Sequence, residues 1–121
     1  MNGAKMFVCI SCRAGEASDG RPGVQFIDAL RERAAERGVT LAIEPVESLA
    51  VCKRPTTIAL AAPDKWTYVI GDLDTDADLD GTIDGAIGYA RSENGVVPWK
   101  ERPACFKKGV VSRIPPVARG G

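Results

Sequence analysis

Residues 5–10 have the sequence Lys5-Met6-Phe7-Val8-Cys9-Ile10, a mainly apolar run that precedes a polar stretch at 11–23. A short run of this kind, rich in Phe and Val and followed by polar residues, predicts a buried β-strand. Pro22 then stands where the first turn of a helix tolerates proline, and apolar residues recur at helical spacing until Gly38. The β-branched run at 39–46 predicts a second strand. Together these segments predict a βαβ unit with two parallel strands and a right-handed crossover.

The segments that follow the βαβ unit predict a hairpin and a second helix. Two strand-like runs, 57–62 and 66–71, are separated by the turn residues 63–65, and apolar residues at helical spacing indicate a helix at 76–91. The remainder, 95–121, holds four of the chain's eight prolines and predicts an extended tail. The predicted order of elements is therefore β-α-β-β-β-α. We expect an α/β fold with a mixed sheet of the thioredoxin-like kind and an extended C-terminal tail.

Composition limits the classes of function. The chain has 121 residues, which suits one domain, and its 16 basic and 16 acidic side chains give no net charge. We therefore expect neither nucleic acid nor a membrane surface as a partner. No apolar run approaches the roughly 20 residues of a membrane helix, and no export signal is visible, so we expect a cytoplasmic protein. The absence of histidine excludes Cys–His nucleophiles, Ser–His–Asp triads and imidazole metal ligands.

Thiolates remain as candidate ligands or nucleophiles. Cys9 and Cys12 form a C-x-x-C motif, whose spacing lets two thiolates hold one metal or form a redox disulfide. Parallel strands of a βαβ unit end at the same edge of the sheet, so the loop that contains Cys52 should approach them. Cys105 is the remaining thiol for a four-ligand zinc or iron–sulfur site, and topology does not place it. The alternative is that these cysteines are small apolar core residues.

A dithiol redox site is a second interpretation of Cys9 and Cys12. The reactive thiolate of such enzymes is usually activated by a helix that begins beside it. Here about ten residues separate Cys12 from the start of the predicted helix. A long polar loop is better suited to surrounding a metal ion or cluster than to orienting one nucleophilic thiolate. We therefore rank metal binding above thiol–disulfide exchange, and the third interpretation is a metal-free binding module whose site has decayed.

Several short motifs occur in one order along nearly the whole chain. They are Cys9-x-x-Cys12-Arg13, Arg21-Pro22-Gly23, Cys52-Lys53-Arg54-Pro55, Lys65-Trp66-Thr67-Tyr68 with Gly71-Asp72-Leu73, and Val97-Pro98-Trp99 through Lys108-Gly109-Val110-Val111 to Pro115-Pro116. Together they resemble a family of small bacterial proteins of unknown function that are predicted to bind metal. Members of that family look like thioredoxin-fold ferredoxins, which hold a [2Fe-2S] cluster with cysteines from the loop after the first strand and from a second cysteine-containing loop.

The resemblance implies a metal-binding or [2Fe-2S] protein that acts as an electron carrier or metal handler and is not an enzyme in its own right. The ligands of the cluster, or of a zinc ion, would be cysteines. They are Cys9, Cys12 and Cys52, with Cys105 as a further candidate. Members tend to have additional cysteines where this chain has Ser48 and Thr56. A redox or metal-transfer protein is the partner that this function implies, and the sequence indicates no oligomeric state.

The chain divides by composition into two parts. We expect residues 1–94 to form a thioredoxin-like, ferredoxin-type domain and 95–121 to form a proline-rich, basic C-terminal extension packed on that domain. The extension has six basic residues against the single acidic residue Glu101, whereas 72–84 has six aspartates and no base. Opposite charge predicts that the extension packs over this acidic segment, and the alternative is that it docks a partner.

The acidic segment also matches part of a calcium-binding loop. The matching pattern is Asp76-x-Asp78-x-Asp80-Gly81-x-x-Asp84. The twelfth position of the loop needs a bidentate glutamate, and this chain has Ile87 there. Aspartates are also favoured at a helix N-terminus by capping and by the helix dipole. We therefore expect an acidic helix N-terminus, and calcium at Asp76, Asp78 and Asp80 is the less favoured alternative.

Overall fold

Five β-strands and three α-helices make up the part of the chain that the structure describes. The computed structural model describes residues 4–10, 22–47 and 56–116, and all structural statements concern these residues. The elements in chain order are β1 (Lys5–Cys9), α1 (Pro22–Glu36), β2 (Ile43–Val46), β3 (Ile58–Ala61), β4 (Thr67–Ile70), α2 (Leu79–Arg91), a 3₁₀ turn (Trp99–Glu101), α3 (Cys105–Lys108) and β5 (Val110–Ile114). None of the described helices is both long enough and apolar enough to cross a membrane.

The strands form one mixed sheet in the order β2-β1-β3-β4-β5. β1 and β2 are parallel, and the other three neighbouring pairs are antiparallel. This arrangement confirms the predicted βαβ unit and the predicted hairpin between β3 and β4. The ends of β1, β2 and β4 and the starts of β3 and β5 lie at one edge, which we call the cysteine edge. Its residues are Cys9, Val46, Ile70, Ile58 and Val110.

The helices cover one face of the sheet. Alternate residues along β1, β3 and β4 point to that face and are completely buried. They are Met6, Val8, Ile58, Leu60, Tyr68 and Ile70. These side chains form one cluster with apolar residues of α1, α2 and α3, including Phe26, Ile83 and Phe106. Burial of each large apolar side chain contributes about 1.5 to 3 kcal/mol, so β1, which ends in Cys9, is firmly held in the middle of the fold.

The segment after α2 contains more regular structure than the extended tail that we expected. Val97, Cys105 and Phe106 are buried in the core. β5 then pairs antiparallel with β4 and completes the sheet. Its sequence, Val-Val-Ser-Arg-Ile, is short but has strand character, and the prolines around it hid this character in the sequence. The C-terminal part of the described chain is therefore integral to the sheet.

The aspartates of α2 form ion pairs with α1. Arg33 donates two hydrogen bonds of 2.9 Å to the carboxylate of Asp80, and Arg37 donates one of 2.6 Å to Asp84. The C-terminal segment packs closely on α2, where a Cβ atom at Gly85 would lie 2.4 Å from the ring of Phe106, and its Lys108 lines a cleft with Asp72 and Asp78. Asp80 and Asp84 of α2 therefore pair with arginines of α1. Gly85 of α2 leaves room for the ring of Phe106 in α3.

Both long helices begin at the cysteine edge. α1 starts against Cys9, and α2 follows the end of β4. The first turn of α1 contains no acidic residue, whereas α2 has Asp78 at its N-cap and Asp80 in its first turn. The two helix starts therefore place different charges at the two ends of this edge.

Candidate functional site

Cys9 is the last residue of β1 and is 1% exposed. Its backbone N–H donates to the carbonyl of Thr57 at 3.0 Å, which joins it to the residue before β3. Its thiol donates to the carbonyl oxygen of Glu47, the residue after β2, at 4.0 Å. Glu47 and Thr57 lie on either side of 48–55. Both ends of the segment that contains Cys52 are therefore held at Cys9.

The start of α1 also lies directly against Cys9. A Cβ atom at Gly23 would be 1.8 Å from the carbonyl oxygen of Cys9, far inside van der Waals contact. The N–H of Ile10 donates to the carbonyl of Val46 at 2.9 Å, so the chain still runs beside β2 when it leaves Cys9. Both ends of the segment that contains Cys12 are therefore next to Cys9 as well.

Cys12 and Cys52 themselves lie outside the described residues, in 11–21 and 48–55, and so does Ser48. The structure brings together the four ends of these two segments at the cysteine edge, where the βαβ topology predicted that they would meet. The convergence of the three sulfur atoms stays a prediction.

The position of α1 corrects one step of the sequence argument. The separation of about ten residues between Cys12 and the helix suggested that no helix begins beside the motif. In the structure, Gly23 in the first turn of α1 contacts Cys9. The positive end of a helix dipole favours a thiolate over a thiol. A helix therefore does begin beside the backbone of Cys9, although strand alternation directs the Cys9 side chain to the opposite face of the sheet.

Thr56 stands where family members tend to have a cysteine. It is 2% exposed, and its carbonyl accepts a hydrogen bond of 3.0 Å from the N–H of Leu73. The next residue, Thr57, is bonded to Cys9. Soft metals prefer sulfur to the hydroxyl oxygen that Thr56 offers. Thr56 therefore directly precedes the residue that is hydrogen-bonded to Cys9, and its side chain offers oxygen instead of sulfur.

Cys105 lies in the helix layer as the first residue of α3 and is 4% exposed. A Cβ atom at Gly81, in the first turn of α2, would be 3.1 Å from its sulfur. Burial, with a smaller effect of Asp78, raises the pKa of the Cys105 thiol to about 11, and the hydroxyl of Thr82 opposes part of this increase. The thiol is therefore protonated at neutral pH. It lines a cleft of about 270 Å³ together with Gly71, Asp72, Asp78, Lys108 and Gly109.

Cys105 and Cys9 occupy different parts of the cysteine edge. Cys105 borders Gly71, which follows β4, and β3 lies between β4 and β1. Two interstrand spacings, about 10 Å, therefore separate the two strands. Val8 points to the helix-covered face, so strand alternation directs Cys9 to the opposite face. Zinc–sulfur bonds are about 2.3 Å long, so this arrangement does not bring both sulfur atoms to one zinc ion.

The aspartates of the calcium-like motif make local contacts. The carboxylate of Asp74 accepts hydrogen bonds of 2.9 and 2.6 Å from the N–H groups of Asp76 and the residue after it. The carboxylate of Asp78 accepts one of 2.8 Å from the N–H of Asp74, and Asp80 is paired with Arg33. Among residues 4–10, 22–47 and 56–116, no three Cys, Asp or Glu side chains form a group that could hold a metal ion.

A family model for proteins of unknown function (DUF1636) matches residues 6–116. The chain belongs to this family. The match includes all of the short motifs from Cys9 to Pro116 and confirms the family resemblance that they indicated. No curated protein is similar in sequence at a significant level.

Two solved structures of a thioredoxin-like [2Fe-2S] ferredoxin from Aquifex aeolicus have similar folds. One superposes with a TM-score of 0.59 at 14% identity and covers 93% of this chain and 94% of that chain. The other, of the wild-type ferredoxin, has a TM-score of 0.56 at 16% identity and covers 93% of this chain and 99% of that chain. The likeness extends over nearly the full length of both proteins. It confirms the thioredoxin-like fold that the order of elements predicted.

Proposed function

We propose that this protein binds a [2Fe-2S] cluster, or zinc in its place, through the thiolates of Cys9, Cys12 and Cys52, and acts as an electron carrier or metal handler. The observation that carries the proposal is the position of Cys9. Both segments that contain the other two cysteines begin and end against this one residue. The fold shared with [2Fe-2S] ferredoxins supports an iron–sulfur or redox role.

The donor chemistry around Cys9 fits a soft, anionic metal centre. Thiolates are the preferred ligands of zinc and of iron in clusters. The first turn of α1 has no acidic residue and lies against the Cys9 backbone, and the positive end of a helix favours negative charge nearby. Three cysteines leave the fourth position to another donor, and the hydroxyl of Thr56 is one candidate at this edge. A bound cluster would supply one-electron transfer, and this chain's residues would hold it and shield it from water.

Anaerobic purification followed by absorption spectroscopy and elemental analysis tests the proposal. Visible sulfur-to-iron bands with iron and sulfide in equal amounts indicate the cluster, and stoichiometric zinc indicates the second metal. We expect the Cys9→Ser and Cys52→Ser variants to lose most of the metal. Cys105→Ser is the matched control, because Cys105 is also a buried thiol but lies in the helix layer. Full metal content in the Cys9→Ser and Cys52→Ser variants would show that the proposal is wrong.

A thiol–disulfide oxidoreductase is the second candidate, and the C-x-x-C spacing of Cys9 and Cys12 favours it. Because Cys9 is 1% exposed, Cys12 would attack the substrate disulfide and form a mixed disulfide. Cys9 would then displace the substrate thiol and leave a Cys9–Cys12 disulfide. This function predicts metal-free protein that shows one two-electron transition in a glutathione redox titration. Protein with neither metal nor such a transition would indicate a binding module with a decayed site.

A further inference from the structure

Gly23 occupies the tightest backbone contact beside the proposed metal site. A Cβ atom there would lie 1.8 Å from the carbonyl oxygen of Cys9, 2.8 Å from its carbonyl carbon and 3.1 Å from the Cα of Ile10. All three atoms belong to the backbone, so no side-chain rotation can relieve the overlap. To reach even the 3.0 Å that real Cβ atoms respect, α1 and β1 would have to separate by about 1 Å.

Neither partner in this contact is free to move. β1 is bonded to β2 on one side and to β3 on the other, and the N–H of Cys9 itself is held by Thr57. On the other side of the contact, Phe26 and Leu30 of α1 are completely buried in the core. A residue larger than glycine at position 23 would therefore displace the peptide of Cys9 or lift the first turn of α1 from it.

We propose that Gly23 is a positioning residue for Cys9. The missing side chain lets the first turn of α1 close over the Cys9 carbonyl, which fixes the position of the Cys9 peptide and therefore the point from which its buried side chain leaves the strand. The consequence for metal binding rests on the proposed function. The consequence for the Cys9 thiol holds whether or not a metal is bound, because the contact is made by the protein alone.

Three glycine-to-alanine variants separate positioning from general loss of stability. In Gly23→Ala the new methyl group meets the backbone of Cys9, and in Gly85→Ala it meets the ring of Phe106 at 2.4 Å. In Gly88→Ala it meets only a side-chain atom of Val97, at an ordinary 3.9 Å. Gly88→Ala is therefore the neutral control, and Gly85→Ala is a control for loss of packing on the helix side of the sheet.

The first measurement is the rate of alkylation of each cysteine in native, metal-free protein, followed by peptide mass spectrometry. The ratio of the Cys9 rate to the Cys105 rate is the readout, because global unfolding exposes both buried thiols together. We expect Gly23→Ala to raise this ratio at least tenfold. We expect Gly88→Ala to leave it unchanged, and Gly85→Ala to leave it unchanged or lower it. An unchanged ratio in Gly23→Ala overturns the proposal.

The second measurement uses protein isolated anaerobically. Per folded chain, Gly23→Ala should lose metal or shift the reduction potential of a bound cluster, whereas Gly85→Ala should do neither. If wild type holds no metal but the alkylation ratio rises in Gly23→Ala, the proposed function fails and the positioning role stands. If wild type holds metal and the ratio does not change, the positioning role fails and the proposed function stands.

A fourth variant covers the case in which Gly23→Ala does not fold. Val24→Gly loosens the same turn without adding an atom, and its side chain is 42% exposed, so little core packing is lost. We expect the ratio of Cys9 to Cys105 alkylation to rise about two- to threefold, in line with the lower helix propensity of glycine. No rise would contradict the role of this turn in holding Cys9.

Discussion

The two described cysteines are both buried, but their surroundings give them different chemistry. The backbone of Cys9 contacts the first turn of α1, and its thiol donates to the carbonyl of Glu47. Cys105 lies near the acidic start of α2, and burial and Asp78 raise the pKa of its thiol. A protonated thiol of this kind packs as a small apolar residue. Cys105 therefore belongs to the core, whereas Cys9 is the residue on which the proposed function depends.

The Cys105 thiol should make the protein less stable in alkali. Its pKa is about 11 in the folded chain and about 9 when unfolded, so the folded state resists losing this proton. The stabilisation is complete below pH 9 and is lost as pH rises towards 11. We expect the free energy of unfolding of wild type to fall about 2 kcal/mol more than that of Cys105→Ala between pH 8 and 11.

Urea unfolding of both proteins at several pH values measures this difference. Tyr89, whose pKa burial raises to about 12, titrates in both proteins, so its effect cancels in the comparison. Parallel pH profiles for the two proteins would contradict the assignment of Cys105 as a buried, protonated thiol.

At the scale of elements, α1 and α2 are joined by a pH-dependent charge pair. The hydrogen bonds from Arg33 hold the pKa of Asp80 below its usual value. A carboxyl group with a lowered pKa stabilises the fold above its unfolded pKa, near 4, and this contribution is lost as pH falls through the folded pKa. Asp80→Asn should therefore be less stable than wild type at pH 7, and the difference should become smaller as the pH falls below 4.

Denaturant titrations at pH 7, 4 and 2 test this expectation, and 1 M salt at pH 7 should reduce the difference because the pair is exposed. Asp28→Asn, at an exposed aspartate of α1, is the matched control for the loss of a surface carboxylate. A stability difference for Asp80→Asn that does not change with pH would rule out the ion pair as its source.

At the scale of the whole molecule, the C-terminal segment should be needed for folding. Phe106 is completely buried and lies against Gly85 of α2 and the ring of Tyr68. Phe106→Ala should destabilise the protein by about 3 to 5 kcal/mol, measured by urea unfolding. Val111→Ala, at a β5 residue that is 36% exposed, should cost much less. Equal effects of the two substitutions would mean that the segment is not part of the core.

Much of this fold could be predicted from local patterns. The apolar run of β1, the helical spacing of α1 and the turn at 63–65 each specify one element through neighbouring residues. β5 was not predicted from the sequence, because a five-residue strand next to two prolines has little local sequence signal. Its identity depends on pairing with β4, which is distant in sequence.

The location of the candidate site could also be predicted from the sequence, but one of its contacts could not. Topology indicated the edge at which Cys9 lies, because the direction of parallel strands follows from the βαβ pattern. The contact between Gly23 and Cys9 could not be predicted, since it depends on how closely α1 packs against the end of β1. The Arg21-Pro22-Gly23 motif was the only signal, as glycine is unfavourable inside a helix and suggests a close approach.

The starts of α1 and α2 carry unequal charges, so the electrostatic potential differs between the two ends of the described part of the cysteine edge. On the Cys9 side the first turn of α1 has no acidic residue, and on the Cys105 side two aspartates and one lysine, Asp72, Asp78 and Lys108, line the cleft. A partner protein whose own charges are unevenly distributed would therefore be rotated, as well as attracted, when it approached this edge. Such a field orients two proteins before they touch, which shortens the search for a productive encounter.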